Sequence, residues 1–140
     1  MANFCGTARS NFVRVKDIDA AIADLEPFSN QIHHHPSEPD AIMVSGDDDS
    51  GTINNSTFDD EGNDIELDWS GWCAKHLKEG QIMVFMSAGA EKLRYVSAWA
   101  EAYNHEGKYV GVNLDTAIDK LIEQEFGDVK YASPCYQEVV

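Results

Sequence analysis

The chain has 140 residues, a hydrophobic content of 43% and a formal net charge of −15 at pH 7. This length and this supply of apolar residues suffice for one folded domain with its own core, which excludes a disordered acidic tail. No run of about 18 apolar residues is present, so we expect no transmembrane helix. Three scattered cysteines indicate free thiols in a reducing compartment. We therefore expect a cytoplasmic protein of a bacterial or phage-infected host cell.

The negative charge is concentrated in one part of the chain. Between Lys16 and Lys75 there is no Lys or Arg but fifteen of the 25 acidic residues, and the other ten are balanced by ten basic ones. We call residues 17–74 the acidic half and the rest of the chain the neutral half. The asymmetry has two interpretations, a solvated face that keeps the protein soluble or a surface that meets a basic partner. Direct nucleic-acid binding is disfavoured, because phosphates would be repelled.

The predicted elements begin with residues 1–10, which show no regular pattern and are interpreted as a flexible arm. Residues 11–16 alternate apolar and polar side chains and predict a strand. Asp17 suits the N-cap of a helix whose apolar residues recur every three or four positions. This helix should end near Pro27, because proline removes a backbone donor and clashes with the preceding turn.

Loops and short strands are predicted for the middle of the chain. Residues 31–39, which contain three His and two Pro, predict a loop, and residues 41–45 predict a short buried strand. Residues 46–63 predict an acidic loop excursion from the domain, with a weak strand over residues 52–58.

Acidic and hydrophobic residues alternate strictly over residues 64–69. As a strand, this stretch would turn Ile65, Leu67 and Trp69 towards the core, and Asp64, Glu66 and Asp68 towards water. At about 3.3 Å per residue, neighbouring carboxylates would stand roughly 6.6 Å apart along one line. The pattern therefore predicts a rigid row of negative charge.

The neutral half predicts strands joined by short connections and two further helices. In chain order these are a helix capped by Ser70 and closed by Gly80, a buried strand over 81–87, a turn at Gly89, a strand over 93–103, a hairpin loop over 105–108, a return strand over 109–114, and a last helix that ends at Gly127. The whole chain, residues 1–140, is thus predicted to be a single α+β domain, an antiparallel β-meander packed against about three helices.

Two segments carry a resemblance to known proteins. These are residues 11–17 (NFVRVKD) and residues 89–95 (GAEKLRY), together with the long strand and hairpin that follow. They resemble small acidic proteins of phages and mobile elements. This resemblance implies an anti-restriction or anti-CRISPR inhibitor, although the aspartate-rich residues 46–64 depart from the pattern of those proteins. It supplies no catalytic motif.

Three motifs invite a chemical interpretation that their spacing does not favour. His33, His34 and His35 are consecutive and cannot easily face one metal ion. The aspartates from Asp47 onward lack the Gly and Glu that a calcium-binding EF-hand loop requires, in the register beginning at Asp47 or at Asp59. Cys73 and His76 share a predicted helix face but lack a glycine-rich oxyanion loop. The sequence therefore predicts no enzyme, no metal site and no cofactor.

The leading functional hypothesis is an acidic binding or inhibitor protein. It would occupy the basic nucleic-acid-binding surface of a partner protein, such as a defence nuclease or CRISPR effector, including by mimicry of nucleic acid. The predicted partner-binding residues are Asp47, Asp48, Asp49, Asp59, Asp60, Glu61, Asp64, Glu66 and Asp68. The alternative is a structural or regulatory accessory protein that binds through the aromatic hairpin of its neutral half. The sequence leaves the oligomeric state open and is compatible with a dimer.

Overall fold

The computed structural model describes residues 4–92 and 95–134, which form three α-helices, a seven-stranded sheet and a separate two-stranded sheet. In chain order the elements are β1 (Cys5–Ser10), β2 (Val13–Arg14), α1 (Ile18–Leu25), a 3-10 helix (Glu26–Phe28), β3 (Gln31–His34), β4 (Ala41–Ser45), β5 (Ser56–Phe58), β6 (Asp64–Glu66), α2 (Trp69–His76), β7 (Ile82–Glu91), β8 (Tyr95–Asn104), β9 (Tyr109–Asn113) and α3 (Leu114–Phe126). The predicted α+β class is confirmed.

The strands of both sheets pair in the antiparallel sense. β7, β8 and β9 form the predicted meander, in which the loop from Asn104 to Tyr109 closes the second hairpin. β1 pairs with the other edge of β7 and reaches β4, which also pairs with β2 and β3. The main sheet therefore joins strands of the acidic half, β3 and β4, to strands of the neutral half.

The N-terminal segment corrects the prediction of a flexible arm over residues 1–10. Residues 1–3 lie outside the described residues, but Cys5–Ser10 is an interior strand between β4 and β7, with Ala8 and Ser10 buried. The strand forms although its sequence has no apolar alternation, because its backbone pairs with a neighbouring strand on each edge. A Cβ on Gly89 would come within 2.8 Å of the Gly6 Cα, so this pairing depends on small residues.

Two further boundaries differ from the prediction. Residues 31–34 form β3 rather than part of a loop, because they pair along a free edge of β4. Gly89 lies inside β7 opposite Gly6, so the predicted turn at this glycine is wrong. The chain leaves β7 after Glu91, where Lys92 has a φ of 49°; residues 93 and 94 of the predicted strand lie outside the described residues.

Helices α1 and α2 cover one face of the main sheet. As predicted, Asp17 caps α1 by accepting hydrogen bonds from the backbone N–H groups of Asp19 and Ala20. The Trp72 indole N–H donates to the Ala21 carbonyl oxygen at 3.1 Å and joins the two helices. The core comprises Val13, Val15, Ala21, Leu25, Ile42, Val44, Trp69, Trp72, Cys73, Leu77, Met83 and Phe85. Helix α3, by contrast, contains no buried residue.

Candidate functional site: an acidic surface beside an aromatic cleft

The predicted row of carboxylates is shorter in the structure than the alternation of residues 64–69 indicates. Asp64 and Glu66 lie on β6, but this strand ends at Glu66, because β5 offers only three residues for pairing. Asp68 instead occupies the N-cap position of α2, and the helix begins at Trp69 rather than after Ser70. This early start buries Trp69. Two of the three predicted carboxylates are thus aligned on a strand.

The side chains between these carboxylates follow the prediction in part. Trp69 is buried and Leu67 is partly buried against the core, as expected. Ile65 is exposed by 39%, because the two-stranded sheet of β5 and β6 does not place this side chain against the core.

The first part of the acidic loop that follows β4 is held against the domain by hydrogen bonds. The Gly6 N–H donates to the Asp49 carbonyl oxygen at 2.7 Å, and the Gly46 N–H donates to Ala8 at 3.1 Å. The Ser87 hydroxyl also donates to the carbonyl oxygen of Gly51. Residues 46–51 therefore follow the interior strand β1, and the backbone that carries their carboxylates has a defined position.

Several of the predicted partner-binding aspartates also shape their own loops. Asp48 accepts a hydrogen bond from the Ser50 N–H at 2.9 Å, and Asp59 accepts from the Asn63 N–H at 2.8 Å. The Asn54 side-chain amide donates to Asp47 at 3.2 Å. Hydrogen bonds from Ser50 lower the pKa of Asp48, and those from the Asn63 backbone lower the pKa of Asp59. Both side chains therefore stay ionised at neutral pH.

The nine predicted partner-binding carboxylates share one electrostatic property. Within residues 4–92 and 95–134, none of them lies within 4.0 Å of a Lys, Arg or His nitrogen. Three cations near the ends of the acidic half, Arg14, Lys75 and Lys78, bind carboxylates outside this set. We call these nine residues the acidic surface, and its charge is uncompensated by the described chain.

A cleft of about 490 Å³ lies beside this acidic surface, and the sequence interpretation missed it. One wall is formed by residues 52–56, which lead into β5, and the other by the alternating residues Trp99, Glu101 and Tyr103 of β8. The Tyr103 hydroxyl donates to the Glu101 carboxylate at 3.3 Å. The sequence signal for this cleft wall was the spacing of Trp99, Glu101 and Tyr103, because positions two apart on a strand share a face.

The floor of this aromatic cleft is part of the hydrophobic core. Phe85 is fully buried, with its ring centroid 4.7 Å from that of Trp69 and 6.2 Å from that of Tyr103. Burial, and then the charge of Glu101, raises the pKa of Tyr103, so its hydroxyl stays neutral. Aromatic faces beside one carboxylate suit a guanidinium or ammonium group.

Two of the three consecutive histidines have structural partners. His33 Nε2 lies 2.8 Å from the Ser45 hydroxyl across the β3–β4 pair. His35 Nδ1 accepts hydrogen bonds from the backbone N–H groups of Ser37 and Glu38, both at 3.1 Å. Over the described residues, no group of three His, Cys, Asp or Glu side chains is arranged to hold a metal ion.

Cys73 and His76 do not form a nucleophile and base pair. Cys73 is fully buried, and burial, followed by the charge of Asp68, raises the pKa of its thiol to about 12. A thiol with that pKa is not a nucleophile at neutral pH. His76 Nε2 lies 2.6 Å from the Asp24 carboxylate, and its ring contacts that of Trp72 at a centroid distance of 5.3 Å and a tilt of 49°.

Comparison of the chain with protein-family models, with curated proteins and with solved structures found no match. None of the helices formed by residues 4–92 and 95–134 is long and apolar enough to cross a membrane.

Proposed function

We propose that this protein is a non-catalytic acidic binding module that occupies the basic nucleic-acid-binding surface of a partner protein. The observation that carries the proposal is the acidic surface itself, nine carboxylates without an ion-pair partner in the described chain. Solubility alone does not require a segment free of cations, because a net charge of about 2–8 with both signs interspersed is enough for a small domain. The acidic surface instead suits a partner that supplies the missing cations.

The spacing and rigidity of the carboxylates favour a partner that normally binds phosphates. Asp64 and Glu66 are two residues apart on β6, which corresponds to roughly 6.6 Å. Phosphates follow each DNA strand every 3.4 Å or so of helix axis, so this pair spans about two phosphate intervals. Hydrogen bonds within the loops at Asp48 and Asp59 reduce the entropy lost when the acidic surface is bound.

The aromatic cleft adds a place for one cationic side chain of the partner. Its volume of about 490 Å³ accommodates an arginine side chain, with Trp99 and Tyr103 beside the guanidinium and Glu101 opposing its charge. Arginine is enriched in surfaces that recognise phosphate. The acidic surface and the cleft therefore favour the same class of partner, a defence nuclease or CRISPR effector with an arginine-lined groove, in a bacterial cell that carries a phage or mobile element.

A competition experiment tests this function. The wild-type protein should displace fluorescein-labelled DNA from a panel of purified nucleases and CRISPR effectors, with an affinity that falls as salt rises. The double variant Asp64→Lys/Glu66→Lys should weaken displacement at least tenfold, because it reverses two contact charges. The matched control Glu79→Lys/Glu106→Lys changes the net charge equally, but in the neutral half, and should leave displacement within about twofold of the wild type.

Three results bear on separate parts of the proposal. Displacement that is indifferent to salt and to both double variants would disprove the electrostatic mechanism. Equal weakening by both double variants would show that only net charge matters, not the acidic surface. Glu101→Gln, which removes the cleft's carboxylate charge, should weaken binding by a smaller factor of about three to ten.

A second candidate function rests on the hairpin of β8 and β9. Tyr109 is exposed by 54%, and its ring contacts that of Tyr103 in a tilted arrangement with a centroid distance of 5.3 Å. One aromatic side chain of this hairpin is therefore available to a partner. A structural or regulatory accessory protein would use this surface. Partner binding that is lost in Tyr109→Ala but retained in Asp64→Lys/Glu66→Lys would favour this function over the first.

A further inference from the structure

The neutral half presents an apolar sheet face on the side opposite α1 and α2. Two rows of cross-strand neighbours define this outer apolar face, namely Val84, Ala102 and Val110, and Met86, Ala100 and Val112. The phenylalanine and methionine of β7 that enter the core, Phe85 and Met83, alternate with these residues and point to the other side. Helices α1 and α2 therefore do not cover this face.

The outer apolar face has a hollow along its middle strand. Met86, Val110 and Val112 are each more than half exposed, whereas Ala100 and Ala102 between them have short side chains. Two cavities of about 410 and 280 Å³ lie along this hollow and share Ala100 and Val112. The larger one is also lined by Arg9 of β1 and by Leu114 and Ala117 of the first turn of α3. The face therefore has room for large apolar side chains that the described chain does not supply.

Helix α3 carries a complementary surface that is also uncovered. Its apolar stripe consists of Leu114, Ile118, Leu121 and Phe126, which are exposed by between 45% and 73%. No residue of α3 is buried, although the helix begins directly after β9 and its N-cap is satisfied by Asn113. An amphipathic helix of this kind gains most of its stability from packing its apolar face.

We propose that two copies of the protein form a symmetric dimer in which the α3 stripe of each copy lies on the outer apolar face of the other. Large side chains of the helix would fill the hollow along β8, where the alanines of that strand leave space. At roughly 60–120 Å² of apolar surface per large side chain, the eight stripe side chains of the two copies would bury about 500–1,000 Å². The faces opposite them would bury a similar area, so the total reaches the range of specific interfaces. A two-fold axis makes both contacts equivalent.

The charge distribution favours a second copy as the occupant of this face. Residues 82–113, which form β7 to β9 and their connections, carry three acidic and three basic side chains, whereas α3 carries four acidic side chains and one Lys. The helix of one copy therefore brings a net charge of −3 to a neutral face that is bordered by Arg9. The acidic surfaces then stay outside the contact, which avoids like-charge repulsion. This dimer does not rest on the proposed function, and the two proposals respond oppositely to salt.

The test uses the full-length chain in light scattering after gel filtration and in sedimentation velocity. The wild-type protein should have twice the monomer mass of 15.5 kDa, in low and in high salt. Val110→Glu and Leu121→Lys should each raise the dimer dissociation constant at least about a hundredfold, because each buries an unpaired charge. Phe58→Glu is the matched control, since Phe58 is equally exposed but lies in the acidic half, and it should remain dimeric.

Mixing the two disrupted variants tests the arrangement. In a mixed dimer, Glu at position 110 of one copy faces the helix that carries Lys at position 121, and the reciprocal contact is wild type. An equimolar mixture should therefore recover dimers that neither variant forms alone. A monomeric wild-type protein overturns the proposal, as does a mixture that stays monomeric while both variants keep the far-UV circular dichroism spectrum of the wild type. If Leu121→Lys does not fold, Ile118→Lys takes its place in the same experiment.

Discussion

The acidic and neutral halves differ in how much of their hydrophobic surface is buried. The acidic half buries most of its apolar side chains, so that four of the five residues of β4 are buried, and only Phe58 and Ile65 are exposed large hydrophobics among its described residues. The neutral half leaves an apolar sheet face and an apolar helix stripe in solvent. The acidic half thus exposes charged side chains and buries its apolar ones, whereas the neutral half exposes apolar surface.

This difference separates two surfaces of opposite chemistry within one domain. Binding through the acidic surface should weaken as salt rises, because screening reduces attraction between opposite charges. Association through the outer apolar face should hold or strengthen, because salt screens the repulsion between the two acidic halves but not the hydrophobic contact. Titrating salt is therefore the simplest way to tell which surface a given partner uses.

The largest expected effect comes from breaking the core that the two halves share. Phe85 of β7 is fully buried against Trp69 of α2, so Phe85→Ala should destabilise the protein by about 3–5 kcal/mol. Urea unfolding followed by tryptophan fluorescence and by far-UV circular dichroism measures this loss. Phe58→Ala, at an exposed site, should change the free energy of unfolding by no more than about 0.5 kcal/mol. Separate transitions in the wild-type protein would show that the halves are independent domains.

An intermediate effect on the free energy of unfolding is expected at Asp24, a carboxylate of the acidic half that has a structural role. Asp24 accepts hydrogen bonds from the buried His76 and from Lys75, so Asp24→Ala should cost about 1–2 kcal/mol by leaving His76 without this partner. Asp24→Asn retains an acceptor and should cost less. Urea unfolding at neutral pH measures both variants, and equal stability of Asp24→Ala and the wild type would contradict the assigned role.

The same carboxylate should make stability depend on acid pH. The hydrogen bond from His76, followed by that from Lys75, lowers the pKa of Asp24 below its ordinary value of 3.8. Because the pKa is lower in the folded state, this contribution is present above pH 3.8 and is lost as the pH falls through the folded pKa. The stability difference between wild type and Asp24→Ala should therefore shrink on acidification below pH 3.8, in parallel urea titrations.

The smallest expected effect compares single charges in the two halves. Asp60→Lys should raise the free energy of unfolding by roughly 0.2–0.5 kcal/mol at low salt, because it relieves repulsion within the acidic half. Glu106→Lys should lower it by a similar amount, because Glu106 lies 3.8 Å from Lys108 and 3.9 Å from His105. Thermal melts at low and high salt measure both changes, which should vanish when salt is added. Equal signs at low salt would contradict the difference between the halves.

Local signals were sufficient where neighbouring residues determine the structure. Asp17 caps α1 as predicted, and residues 41–45 form the predicted strand β4. The hairpin loop after β8 was also predicted, and the Asn104 side chain closes it by accepting from the N–H groups of Glu106 and Lys108. In contrast, β1 has no apolar pattern of its own, and pairing with β4 and β7 places it inside the sheet.

In the candidate site, too, features set by local sequence were predicted and features set by distant contacts were not. The sequence predicted the nine carboxylates of the acidic surface, because charge is a property of composition. It did not predict that Asp68 leaves the strand for the α2 N-cap, since the length of β6 depends on its three-residue partner β5. It also missed the aromatic cleft, because Trp69 and Trp99 come from distant parts of the chain.

The sequence by itself determined the α+β class, the division into an acidic and a neutral half, and the last helix that ends at Gly127. Only the tertiary structure decided that the N-terminal segment is an interior strand, that the loop at residues 46–51 is docked on it, and that the α3 stripe and the outer face of β7–β9 are both uncovered. The physical reason is that alternation and charge are encoded locally, whereas burial depends on which distant strand or helix is present to cover a given face.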